Sequence, residues 1–97
     1  MSAYAIFIRE RTRNPGELRT YADMVSPLLN ITEATVLSAY GPQDVLEGPS
    51  PEGVVIVRFP TIEAGRAFYD SAEYRAAVQH RFLGADYRSI LVQGIDD

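Results

Sequence analysis

The 97-residue chain contains no cysteine, no tryptophan and no lysine, and a single histidine, His80. Without cysteine there are no disulfides, thiolate nucleophiles or sulfur-ligated metals, and nothing decides between a reducing and an oxidising compartment, so cytoplasm is the default. No apolar run reaches the ~18 residues of a membrane span, and Met1-Ser2-Ala3-Tyr4 lacks a basic region ahead of an apolar stretch. Neither membrane insertion nor secretion is expected. All nine basic residues are arginine and the formal charge is −4. Nucleic-acid affinity rests on clustered cations releasing counterions, so no nucleic-acid partner is expected. One histidine among scattered carboxylates offers no metal-ligand spacing, and no phosphate loop, dinucleotide fingerprint or nucleophile elbow is present. The sequence therefore predicts neither metal nor cofactor.

What is present reads as one domain over residues 1–97. Ala3 to Arg9 is a strand pattern, and Asn14-Pro15 follows as an N-cap with proline at the first helical position. Leu18, Tyr21, Ala22, Val25, Leu28 and Leu29 then form an apolar helical stripe, with Glu17, Arg19, Thr20 and Asp23 toward water and Pro27 expected to loosen the last turn. Ala34 to Tyr40 reads as a second strand, Asp44 to Gly48 as a short extension before a loop, and Val54 to Phe59 as a third strand at hairpin distance. Thr61 can cap a helix, and Asp70-Ser71-Ala72-Glu73 has the pattern of a capping box that restarts one, with Tyr74, Ala77, Val78 and Phe82 inward. Gly84 ends that helix, Tyr87 to Val92 is the last strand, and an acidic tail follows.

The order β-α-β-β-α-β predicts an α+β, ferredoxin-like fold: a four-stranded antiparallel sheet with the helices on one face and strands one and three in the middle. Strand residues alternate between faces, so Val55, Val57 and Phe59 line one surface while Val54 and Ile56 line the other. The helices cover one side only. Several hundred Å² of apolar surface left wet would forgo several kcal/mol at ~25 cal/mol per Å². A homodimer through sheet faces is the expected cover.

Three segments carry a family resemblance: Gly41-Pro42-x-x-Val45-Leu46-Glu47-Gly48, Phe59-Pro60-Thr61-x-Glu63-Ala64 and Phe68-Tyr69-Asp70-Ser71-x-Glu73-Tyr74. Together with Arg81 and the Ala85-Asp86-Tyr87-Arg88 run, they resemble domain-of-unknown-function family 1330, of the dimeric α+β barrel superfamily, from Tyr4 to Gly94. Ala72 stands where the family usually has proline, and Asn30-Ile31-Thr32-Glu33 replaces a glycine-rich turn. The resemblance implies a dimeric α+β barrel with a small-molecule cleft between sheet and helices in each protomer. Superfamily relatives include cofactor-free monooxygenases, lactone isomerases and haem peroxidases, so it implies no single reaction.

Two functions follow as alternatives. One is a cofactor-independent enzyme, oxygenase- or isomerase-like, acting on a small organic acid or aromatic. The other is a non-catalytic dimer that binds a small molecule or another protein. The catalytic candidates are Glu47, as an oriented carboxylate or a structural partner of an arginine, and His80, the one imidazole, on a helix face pointing away from Val78. Any of the six tyrosines could line a cleft of mixed polarity. Tyr69 and Tyr74 lie where the resemblance is concentrated and join Arg81 as binding candidates for an anionic or aromatic ligand. Arg58 and Arg88 lie in strands. They project into the cleft, to hold a carboxylate, or onto the opposite face, to staple the dimer, or stand isolated at an edge, three equal alternatives.

Overall fold

The computed structural model describes residues 1–95; the acidic tail, Asp96–Asp97, lies outside the described residues. Strands β1 (Ala3–Thr12), β2 (Thr35–Ala39), β3 (Gly53–Phe59) and β4 (Ala85–Gln93) alternate with helices α1 (Pro15–Asn30), α2 (Ile62–Asp70) and α3 (Ala72–Gly84). The sheet order is β2-β3-β1-β4, with every neighbouring pair antiparallel. This is the ferredoxin-like arrangement, α+β, with the helices on one face. Its sheet is not closed.

Each helix begins on the kind of side chain that satisfies the orphan amides of a first turn. Asn14 Oδ1 accepts from the amides of Gly16 and Glu17, and Thr61 Oγ1 from that of Ala64. Between α2 and α3 the cap is Ser71 rather than Asp70. Its hydroxyl donates to the Phe68 carbonyl, which closes α2, and accepts from the Tyr74 amide, which opens α3. Glu73 is then one residue short of the position a capping box requires, and Asp70 instead pairs with Arg66 one turn back along α2 at 2.9 Å. Pro27 does not end α1. It removes one amide, and the helix continues to Asn30, where the Ile31 amide reaches the Leu28 carbonyl. The segment from Tyr40 to Glu52 is loop throughout, so the extension expected at Asp44 to Gly48 is absent.

Ala5, Val57 and Phe59 form the buried centre of the sheet's helix-facing side, with Phe68 and Ala64 of α2 laid on them. Gly65 permits that approach, because a Cβ there would sit 2.8 Å from Leu91 Cδ1. The second centre lies between helices: Val25 of α1 against Tyr74, Ala77 and Val78 of α3. The Gly84 carbonyl at the end of α3 accepts the amides of Arg13 and Asn14, and Arg13 also donates to the Phe82 and Leu83 carbonyls. These bonds tie the entry of α1 to the exit of α3. In consequence α1 packs along α3 more than along the sheet, and a space is left beneath it.

One inward position differs from the sequence reading. The buried stripe of α3 is Tyr74, Ala77, Val78 and Arg81, while Phe82 is turned out. From Val78 the helix can continue its stripe at either three or four residues. The arginine is taken inside because aromatic rings and a phenol are waiting for it.

On the other side of the sheet Ile6, Ile8, Val54, Ile56, Ile90 and Val92 form a continuous apolar surface in the observed register. Ile90 and Val92 are 49% and 46% exposed, and no element among the described residues covers them.

Candidate functional site

The space beneath α1 is a cavity of about 670 Å³. Its walls come from Leu18 and Val25 of α1, Phe7 of β1, Val55 and Val57 of β3, and Phe68 of α2. The cavity is partly open to solvent, and its volume falls in the range of ~300–1,000 Å³ common among ligand sites.

The polar part of the wall is built from two tyrosine pairs. Tyr21 of α1 and Tyr74 of α3 meet hydroxyl to hydroxyl at 2.7 Å, their rings edge to face with centroids 6.1 Å apart. Tyr40, at the end of β2, meets Tyr87 of β4 in the same way. Tyr40 has φ 57°, a left-handed conformation that bulky residues rarely adopt, and its ring lies across Gly53, where a Cβ would be 2.4 Å from Cδ1. A side chain at 53 would push the ring out of the cavity wall.

Behind the wall lies Arg81, only 4% exposed. Its Nη1 donates to the Tyr74 hydroxyl at 3.2 Å, and its Nε is buried without a hydrogen-bond partner. Its guanidinium carbon is 4.9 Å from the Tyr87 ring centroid, 5.6 Å from Phe7 and 5.8 Å from Tyr21. No carboxylate among the described residues pairs with it. Isolated buried charge costs several kcal/mol, and here ring quadrupoles and one phenol oxygen offset part of that cost.

Two further arginines line the cavity. Arg9 lies on the Tyr40 ring at 4.5 Å, with its Nε 3.0 Å from Glu52 Oε1 in an ion pair too poorly aligned to count as a hydrogen bond. Glu52 is in turn held by the Thr12 hydroxyl and amide, which keep its carboxyl below the usual carboxylate range. Arg19 is the third, exposed on α1.

Burial pushes the phenol pKa values of Tyr21, Tyr74 and Tyr87 up, and the neighbouring phenols add to the rise for Tyr21 and Tyr87. Arg81 pulls against the rise at Tyr21 and Tyr74 without reversing it. These groups are therefore hydrogen-bonding acids across the neutral range and not bases. Because the folded values lie above the unfolded one, their contribution to stability is complete below about pH 10 and is lost as pH rises past it. In an alkaline titration followed by tyrosinate absorbance and circular dichroism, part of the absorbance should appear only together with loss of secondary structure. Smooth ionisation of all six tyrosines in the intact fold would contradict the burial of these phenols.

Of the residues singled out from sequence the structure brings Tyr74 and Arg81 together at the cavity, with Tyr69 packed on the far side of Tyr74, and scatters the rest. Tyr69 faces a separate hollow of about 220 Å³ between α2 and β4, its ring covered by Arg75 at 4.3 Å. His80 Nδ1 lies 2.7 Å from Glu17 Oε2, a link from α3 to α1 outside the cavity. Glu47 sits in the exposed loop after β2 with no arginine partner among the described residues. Arg58 and Arg88 project from the open face, where Arg88 pairs with Glu10 at 2.8 Å. Tyr21, Tyr40 and Tyr87 were visible as members of the tyrosine set, and Tyr87 also within the Ala85-Asp86-Tyr87-Arg88 run of the family resemblance. Tyr21 had one further signal, its place in the stripe of α1 that meets α3. Among the described residues no group of three or more histidines and carboxylates could hold a metal, and no helix is long and apolar enough to cross a membrane.

The model of a domain of unknown function, family 1330, matches residues 2–95. The chain belongs to this family. No curated protein matches it. Among solved structures, a Rhodopseudomonas palustris protein of unknown function aligns with a TM-score of 0.74 at 21% identity, over 99% of this chain and 84% of that one. A dimeric ferredoxin-like protein of unknown function from Thermobifida fusca aligns with a TM-score of 0.66 at 19% identity, over 94% and 89%. A dabb family protein from Mesorhizobium loti, also ferredoxin-like, aligns at 0.62 and 12% identity over 98% of each chain. At these identities the likeness establishes the fold of the family 1330 chain and nothing about its chemistry.

Proposed function

We propose that the family 1330 chain is a homodimeric small-molecule-binding protein whose site is the cavity between α1 and the sheet. The observation that carries this reading is the cavity itself: apolar walls of ligand-sized volume, interrupted by the Tyr21–Tyr74 hydroxyl pair. An apolar body with one hydrogen-bonding head fits that pattern. Binding is favoured over catalysis because acid–base chemistry needs a base within reach of bound substrate, and neither Glu47 nor His80 lines the cavity. Tyr21, Tyr74 and Tyr87, which do line it, are held protonated by burial. The open apolar face and the dimeric ferredoxin-like structures from Thermobifida fusca and Bacteroides fragilis support assembly through the sheets.

The test uses prodan, a neutral naphthalene ketone whose emission shifts to the blue in apolar surroundings. It should bind one per chain, and Ala22→Phe, which places a ring at the cavity lining without removing a packed side chain, should weaken binding at least tenfold while leaving the fold intact. Equal binding by wild type and Ala22→Phe would move the site elsewhere, and no binding to either would remove the reading.

A further inference from the structure

Resting on the reading of this cavity as a ligand site, we propose that its ligand class is carboxylates with a bulky apolar or aromatic body, the carboxylate held at the Tyr21–Tyr74 pair in the field of Arg81. The first support is a charge separation. The chain carries 13 acidic residues against nine basic ones, yet no aspartate or glutamate lines the cavity, while Arg9 and Arg19 do and Arg81 stands directly behind its tyrosines. Of these arginines Arg9 is paired with Glu52, Arg19 reaches solvent, and Arg81 is buried without a carboxylate partner among the described residues, so the uncompensated charge beside the cavity is that of Arg81.

The second support is a count of donors. Arg81 Nη1, the Tyr74 hydroxyl and the Tyr21 hydroxyl bring three protons to two contacts, Arg81 to Tyr74 and Tyr74 to Tyr21. Arginine can only donate. Whichever phenol donates to the other, one phenol proton of the pair is left without an acceptor. The same holds for Tyr40 and Tyr87, two hydroxyl protons sharing one contact. Arg81 Nε adds a further buried donor with no acceptor. A site with surplus donors beside one buried, unpaired cation is complementary to an acceptor that is also an anion. A carboxylate supplies both, and hydrogen bonds to a charged acceptor are roughly twice as strong as neutral ones. Arg81 acts here through Tyr74 and through space, as a positioning and charge-setting residue, not as a group in contact with the ligand.

A buried arginine kept for structure and one kept for binding behave differently on substitution. Replacing a buried, unpaired cation by an apolar side chain is often neutral or stabilising, and methionine adapts well to a box of aromatic rings. Arg81→Met should therefore leave the ligand-free unfolding temperature unchanged or higher, while removing the preference for charge.

The experiment displaces prodan with naphthoate and with its neutral isostere naphthamide at pH 7, and needs only the wild-type protein for its main comparison. Naphthoate should bind at least about tenfold more tightly than naphthamide. In Arg81→Met the two should become equal, with naphthamide affinity preserved, and Arg81→Lys should restore part of the preference. Equal affinities in wild type, with prodan still bound, would overturn the carboxylate assignment and leave the cavity as a site for neutral molecules. An undiminished preference in Arg81→Met would overturn the role of Arg81. Failure of prodan and of both naphthalene ligands to bind would overturn the inference together with the reading beneath it.

Discussion

Tyr74→Ala is expected to lower the unfolding temperature by about 12–40 °C. Tyr74 is fully buried and joins the two centres of the core, with ring centroids 5.1 Å from Phe68 and 5.3 Å from Tyr69 in addition to the edge contact with Tyr21. Removing a buried aromatic ring costs about 3–5 kcal/mol, against a total stability of about 5–15 kcal/mol, and each kcal/mol shifts the midpoint of a domain this size by about 4–8 °C. Tyr74→Phe separates the ring from the hydroxyl. It keeps the packing but leaves Arg81 Nη1 without its acceptor and Tyr21 without its partner, for an expected loss of about 1–3 kcal/mol. Thermal unfolding followed by circular dichroism distinguishes these. A loss below ~1 kcal/mol for Tyr74→Ala would mean that the ring does not hold α3 against α1 and the sheet.

The second large effect is on assembly. Ile56 lies mid-strand in β3 on the open face, beside Ile6 of β1 and across from Ser38 of β2. In a sheet-to-sheet dimer its side chain is enclosed, and an unpaired carboxylate there costs about 4 kcal/mol or more, which is roughly a thousandfold in the dissociation constant. Ile56→Asp should therefore be monomeric by light scattering at micromolar concentration, where the wild-type protein is expected to be dimeric. Within the monomer the substitution faces water, so the circular dichroism spectrum should be unchanged. A wild-type protein that is itself monomeric at that concentration would leave the apolar face without the partner argued for it.

The elements and their pairing were legible because each rests on a local signal that packing does not oppose: Asn14 ahead of Pro15, Thr61 ahead of Ile62, and alternating Val and Ile in β3. The topology followed from their order. The site was less legible, for two reasons visible in particular residues. A helical stripe read from hydrophobicity takes Phe82 inside and leaves Arg81 out, and only the rings of Phe7, Tyr21 and Tyr87, distant in sequence, reverse that choice. The cavity itself depends on α1 packing along α3 and away from the sheet, a consequence of backbone bonds from Arg13 and Asn14 to Gly84 that no periodicity encodes. His80 stood out as the one imidazole and Glu47 as a carboxylate within a segment of the family resemblance, and neither reaches the space those bonds create.

The proposed function requires that the space under α1 receive a ligand. A crystal structure of the protein grown with naphthoate tests this most directly. Electron density is expected between Phe7, Val25 and Val57, with a carboxylate oxygen in hydrogen-bonding range of Tyr21 or Tyr74. A void closed by movement of α1 onto the sheet, or naphthoate bound only outside it, would contradict the claim.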